Sequence, residues 1–213
     1  MSARPDLLEP PMRPTAVVFD LGNVLIRWAP ERAIAHHIPD RDTALAFLDR
    51  VGFAAWNLEQ DRGRPLADAL PVIEAAHPGA GTVLADYATR FAETIREPVP
   101  GSWEIAEALA AGGTPLHAIT NWSAETFPAA CALYPRLDSL FGLIVVSGAE
   151  GVVKPDPAIY RLLLDRTGLS AGDCLFIDDS AKNVAGARAV GMAAHHFTDA
   201  AGLEAVLRDY DLL

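Results

Sequence analysis

The chain predicts a doubly wound α/β fold: a parallel sheet flanked by helices, with a small helical cap inserted after the first strand. Three observations carry this prediction. Short apolar runs recur, and several end in a polar or acidic residue, as at Asp20, Thr120 and Asp178. Helix-like segments alternate with the later runs, the signature of a parallel sheet. The gap between the first and second runs is too long for one crossover helix.

The elements follow in order. Residues 1–14 are Pro-rich and polar and read as a flexible tail. Thr15–Phe19 is a buried strand that delivers Asp20 at its C-terminal end, and a Gly22-Asn23 turn follows at once. Four Ala/Leu-rich helical segments come next, Pro30–His37, Thr43–Val51, Pro65–Ala76 and Thr82–Ile95, with breaks at Pro39, Gly63, Pro78 and Pro98 to Gly101. They form a cap over residues 27–97, placed above the C-terminal edge of the sheet. The core domain is then residues 15–26 and 98–213. Ser102–Ala111 is a core helix leading into the second strand, Leu116–Thr120. Leu143–Val146, Leu175–Ile177 and Ala193–Phe197 are the remaining strands. Ala124–Leu133, Pro157–Arg166 and Ala181–Val190 are the helices between them, and Ser123, Asp156 and Ser180 stand where each would be capped.

Composition narrows the function. With 213 residues, 51% of them hydrophobic, the chain can bury one good core and a small appendage. The net charge of -11, with no Lys/Arg-rich run, argues against a nucleic-acid partner. An anionic substrate must therefore be met by local positive groups. Cys131 and Cys174 lie far apart and read as reduced thiols. No stretch reaches the roughly 20 apolar residues of a membrane span, and no signal core opens the chain, so no membrane partner is expected and the cytoplasm is the expected address.

Four pieces could carry chemistry. Asp20, at a strand end, is a metal ligand, a nucleophile or a turn-forming acid. Thr120 and Asn121 can donate to an anion, or serve only to cap. Lys154 sits before Pro155, which excludes it from a helix interior, and offers a point charge for phosphate or a solvated loop side chain. Asp178 and Asp179 end a buried run together. Two adjacent acids repel unless a cation is near, and a hard divalent metal accounts for both. Asn183, one turn into the next helix, faces the same edge.

In order along the chain, FDLGNVL, ITNWS, KPDPAIY and IDDSAKNVAGARAVGM resemble the four motifs of the haloacid dehalogenase superfamily. The likeness spans Thr15 to about Phe197 and implies a Rossmann-like core. The cap position implies the helical-cap subclass. DLGNV and EQDRG resemble its α-D-glucose-1-phosphatase-like branch. The resemblance implies a Mg²⁺-dependent phosphatase of a small phosphorylated metabolite, a sugar phosphate foremost, working through an aspartyl-phosphate. Asp20 and Lys154 would be catalytic. Thr120, Asn121 and Lys154 would hold phosphate, and Arg62, in a loop of the cap, could reach a substrate anion or hydroxyl. Asp20, the Gly22 carbonyl and Asp179 would bind Mg²⁺, with Asp178 supporting them and pairing with Lys154.

One position departs from the pattern. Most phosphatases of the superfamily place a second Asp two residues after the nucleophile as general acid and base, and here Gly22 stands there. Three ways round this are open. A cap residue such as Glu59 or Asp61 substitutes, or the substrate has a good leaving group, or the enzyme is a slow, broad phosphatase. The rivals are a 2-haloacid dehalogenase, which uses the same nucleophile without metal, and a weak or regulatory protein on this scaffold. His36-His37 and His195-His196 read as surface and sheet-edge pairs with no third ligand beside them. Trp28 and Trp56 either line a pocket or pack the cap.

Overall fold

The computed structural model describes residues 13–213, so most of the expected tail lies outside the described residues. The last of it is anchored: Pro14 is buried, and the Thr15 amide donates to the Asp173 carbonyl at 2.8 Å.

In chain order, β1 (Ala16–Phe19) leads to a 3₁₀ turn (Pro30–Ile34) and five helices, α1 (Arg41–Arg50), α2 (Phe53–Asp61), α3 (Leu66–Ala76), α4 (Ala80–Thr89) and α5 (Phe91–Thr94). Then come α6 (Ser102–Ala111), β2 (Leu116–Thr120), α7 (Phe127–Leu133), α8 (Arg136–Leu140), β3 (Leu143–Val146) and α9 (Ser147–Glu150). The chain ends with α10 (Pro157–Thr167), a 3₁₀ turn (Ala171–Asp173), β4 (Cys174–Asp178), α11 (Ala181–Ala189), β5 (Ala193–His196) and α12 (Ala200–Asp209). The five strands are parallel, in the order β3-β2-β1-β4-β5.

The pleat explains why β1 is continuously apolar. Val17 and Phe19 point to one face and Val18 to the other. The first face packs with Trp103 and Leu109 of α6 and runs on into the helical insertion. The second packs with Ile159, Tyr160 and Leu163 of α10. Both faces are covered, so no polar alternation survives. β5 lies at the sheet edge and is only partly buried, in keeping with its two histidines. Cys131 and Cys174 are both free. No helix among the described residues is long and apolar enough to cross a membrane.

Several local expectations are corrected. The segment expected as one helix over Thr82–Ile95 is two, α4 and α5, parted at Arg90. Ser123 does not cap α7: its Oγ accepts from the Glu125 amide in a turn, and the helix begins only at Phe127. Asp156 does cap α10, accepting from the Ala158 amide at 2.9 Å. Helices α2, α8, α9 and α12 are unexpected, and of these α2 carries Asn57 and Asp61 on one face.

The C-terminal end of α2 docks on the core through a tight backbone approach. The Asp61 carbonyl accepts from Ser147 Oγ at 2.6 Å, and Ser147 Oγ in turn accepts from the Trp122 amide at 2.9 Å. Gly148 makes room for this packing. A Cβ there would lie 2.5 Å from the Ala124 nitrogen and 2.7 Å from the Trp122 carbonyl, both backbone atoms that cannot retreat. We expect Gly148→Ala to cost about 1–3 kcal/mol by overpacking. A lowered urea midpoint at unchanged m would show it, and an unchanged midpoint would mean that the loop yields.

Candidate active site

From β1 the chain passes to β2 and β3 on one side, then crosses to β4 and β5 on the other. Loops leaving β1 and β4 therefore diverge, and the crevice at their C-terminal ends is where open α/β sheets bind ligands. The register sets the side chains there. Phe19 pairs with Ile177, and the Asp20 amide donates to the Ile177 carbonyl at 2.7 Å, which brings Asp20 level with Asp178.

A buried ammonium joins them. Lys154 Nζ lies 2.7 Å from Asp178 Oδ2, 2.9 Å from Asp20 Oδ1 and 2.8 Å from the Ile119 carbonyl it donates to. Burial alone would discharge this lysine, but Asp20 and Asp178 outweigh it and hold its pKa above the ordinary value. Burial raises Asp20. Lys154 opposes that rise, while Asp178 and Asp179 add to it. Asp178 is fully enclosed and its oxygens are engaged: Oδ1 accepts from the Ser180 amide and Asn183 Nδ2, and Oδ2 from Lys154 and Asn183 Nδ2. Asp179 instead opens on the cavity, raised by its surroundings and by Asp178. His196 Nε2 lies 2.9 Å from the Asp179 carbonyl and steadies that loop.

Oxygens of Asp20, Asp178 and Asp179 lie within 4.8 Å of one another. This donor set suits a hard divalent cation, which takes carboxylates, carbonyls and water. The two acids with raised pKa values are those a cation would relieve. Gly22 lines the same cavity, and a Cβ added to it would meet nothing within 4 Å, so packing does not explain the missing acid.

Thr120 is buried at the end of β2. Asn121 is placed as expected, but its side chain is used otherwise. Its Nδ2 donates to the Lys154 carbonyl at 3.0 Å and its Oδ1 accepts from the Lys154 amide at 2.8 Å. The amide clamps the Lys154 backbone through Oδ1 and one N–H of Nδ2, which leaves its second N–H uncommitted at the cavity it lines. Arg62 is a correction of the same kind. It follows the last turn of α2, is exposed, and bonds Glu59 Oε1 at 2.9 Å instead of entering the cavity.

The cavity holds about 280 Å³. Asp20, Gly22, Asn121 and Asp179 line one part of it, and Trp28, Tyr87, Phe91 and Trp122 supply aromatic wall, with Asn57 and Asp61 among them. Among the described residues, no lysine or arginine lines it. Trp56 belongs to the packing of the insertion, with its Nε1 donating to the Ala69 carbonyl at 3.1 Å. The pair His36 and His37 is exposed, as expected, but a third group does stand beside it. Asp86 Oδ2 lies 2.6 Å from both Nε2 atoms.

Known proteins agree with this architecture. The model of a haloacid dehalogenase-like hydrolase family matches residues 14–191. A sesquiterpene phosphatase of Aspergillus oryzae is 29% identical over 191 residues, 86% of this chain and 90% of the relative. A phosphoglycolate phosphatase of Pseudomonas savastanoi is 30% identical over 192 residues, 84% of this chain and 68% of the relative. Among solved structures, an L-2-haloacid dehalogenase of Xanthobacter autotrophicus shares the fold with a TM-score of 0.66 at 21% identity, over 85% of this chain and 76% of its own.

Proposed function

The chain belongs to the haloacid dehalogenase-like hydrolases, and from that premise we propose a Mg²⁺-dependent phosphomonoesterase that works through an aspartyl-phosphate. The observation that carries this reading is the cluster of Asp20, Asp178 and Asp179, whose first two members share one buried ammonium. Its carboxylates outnumber its cation. A carboxylate substrate without metal would meet repulsion there, which speaks against the dehalogenase. Asp20, Asp179 and the Gly22 carbonyl would hold Mg²⁺, which would turn the balance in favour of a phosphate. The metal would neutralise charge shared between nucleophile and phosphate. Asp20 attacks phosphorus in line, Lys154 orients Asp20, and Asn121 fixes the Lys154 backbone. Thr120 offers its hydroxyl to a phosphate oxygen. The relatives named as phosphatases support the same reaction class.

The cavity wall points to an uncharged leaving group. A second anion, such as the carboxylate of phosphoglycolate, would find no lysine or arginine lining the cavity among the described residues and would face Asp61. A sugar phosphate suits the wall: its C–H face can lie on Trp28 or Trp122, with a hydroxyl on Asn57. A prenyl phosphate suits the rings as well. The narrower likeness to the α-D-glucose-1-phosphatase-like branch is carried by DLGNV and EQDRG. We take the helical insertion, residues 27–97, as the cap that selects among such esters.

The test is kcat/KM for glucose 1-phosphate, glucose 6-phosphate, farnesyl phosphate, phosphoglycolate and 2-chloropropionate, each with Mg²⁺ and with chelator. Expected is turnover of an uncharged-alcohol phosphate in Mg²⁺ only, with phosphoglycolate roughly 10-fold or more slower for its unpaired carboxylate. Chloride release that survives the chelator would transfer the protein to the dehalogenases. Mg²⁺ at about 100 times its Kd should also stabilise the fold by about 2.7 kcal/mol, read as a raised Tm.

A further inference from the structure

Gly22 leaves the loop after β1 without a proton donor for the departing alcohol, and the cavity offers another. Of its carboxyls, Asp20 is bound to Lys154 and Asp179 is a proposed metal ligand. The third is Asp61, on the last turn of α2. Its backbone is fixed to the core through Ser147 Oγ at 2.6 Å. Its Oδ2 accepts from Asn57 Nδ2 at 3.1 Å, and Asn57 Oδ1 accepts from the Tyr87 hydroxyl at 3.2 Å. The tyrosine thus sets the orientation of the amide, which gives its N–H to Asp61 Oδ2. Glu59, the other acid near this turn, is half-exposed and bonded to Arg62, and it lines no part of the cavity.

We infer that Asp61 is the general acid and base of this enzyme, in place of the acid that Gly22 lacks; the inference rests on the phosphatase reading above. Burial raises its pKa to about 7, against the opposing pull of the Ser123 amide, Asn57 and Lys154, so near neutrality it can both give and take a proton. In the first step an Asp20 oxygen bonds to phosphorus as the P–O ester bond breaks. The electron pair goes to the leaving oxygen, which takes the Asp61 proton and departs as alcohol. In the second step Asp61, now a carboxylate, takes a proton from water as the water oxygen bonds to phosphorus. The acyl-phosphate P–O bond breaks, its electron pair returns to Asp20, and phosphate leaves. Asp20 ends ionised and Asp61 protonated, as they began.

The test is Asp61→Asn with saturating Mg²⁺, measured on an alkyl ester (glucose 6-phosphate) and an aryl ester (p-nitrophenyl phosphate). kcat/KM isolates the transfer to Asp20. On the alkyl ester it should fall about 10²–10⁴-fold, the usual contribution of a general acid. On the aryl ester it should fall far less, because nitrophenolate leaves without a proton. The aryl ester should then show a burst of one nitrophenolate per active site, because the phosphoenzyme waits for its base. In the wild type, kcat/KM on the alkyl ester should decline as pH rises through the ionisation of Asp61, and more steeply than on the aryl ester. This second measurement stands even if the variant folds poorly. Equal losses on both esters, or matching pH profiles, would overturn the role of Asp61 and leave the phosphatase intact. A wild type that hydrolyses neither ester, nor any ester of the substrate panel, would overturn the phosphatase reading and this inference with it.

Discussion

Asp20→Asn should abolish turnover while leaving the fold in place. The Asp20 Oδ1 atom accepts from the Leu21 amide at 2.7 Å and lies 2.9 Å from Lys154 Nζ. An asparagine keeps an oxygen for both contacts, so the local geometry survives. What goes is the charge that attacks phosphorus and holds the metal. Loss of a catalytic nucleophile typically costs on the order of 10⁴–10⁶ in kcat. Beryllium fluoride, a phosphoryl mimic, should be retained by the wild type with Mg²⁺ and not by the variant. Stability should move the other way. Burial raises the Asp20 pKa, so the stability it contributes is complete below the unfolded value and is lost as pH rises through the folded one. Without metal, Asp20→Asn should therefore melt no lower than the wild type near pH 8, and any gap should close toward pH 4. Undiminished turnover in the variant would end the covalent mechanism.

Legibility in the sequence followed the range of each interaction. Asp20, Thr120 and Asp178 were readable because each directly follows or ends an apolar strand, so one short segment holds both the strand and its functional end. The strand order is then enough to bring these ends together. Contacts that join distant segments were not readable. Asn121 clamps Lys154 from 33 positions away. Nothing local distinguishes that amide from a phosphate donor. The same holds for Asp86, which reaches His36 and His37 from α4. α2 escaped because its inward side is mixed: Phe53, Trp56 and Gln60 are buried, while Asn57 and Asp61 face a cavity. An apolar stripe was the wrong signal for such a helix. The spacing of Asn57 and Asp61, one turn apart, was the right one. Arg62 drew attention as a cation near an expected pocket, yet at i,i+3 from Glu59 it had a nearer partner.

Lys154→Met should cause a large loss of stability as well as of activity. Methionine fills a similar apolar volume, so the change removes chiefly the charge. Two enclosed carboxylates and the Ile119 carbonyl would lose the ammonium that now sits 2.7–2.9 Å from each. Breaking a buried ion pair by removing one partner costs about 3–5 kcal/mol, because the remaining charge stays buried and uncompensated. At roughly 2–4 °C per kcal/mol for a chain of this size, the Tm should fall by about 10 °C. Two further outcomes separate this cause from simple misfolding. The deficit should shrink as pH falls, because the unpaired acids take up protons that the folded state then prefers to keep. Mg²⁺ should raise the Tm of Lys154→Met more than that of the wild type, since the cluster without its ammonium has more charge for the metal to neutralise. The same ion should do less for Asp20→Asn, which has lost a ligand. A wild-type Tm in Lys154→Met, or a metal response equal in all three proteins, would show that the buried lysine does not hold this acid cluster together.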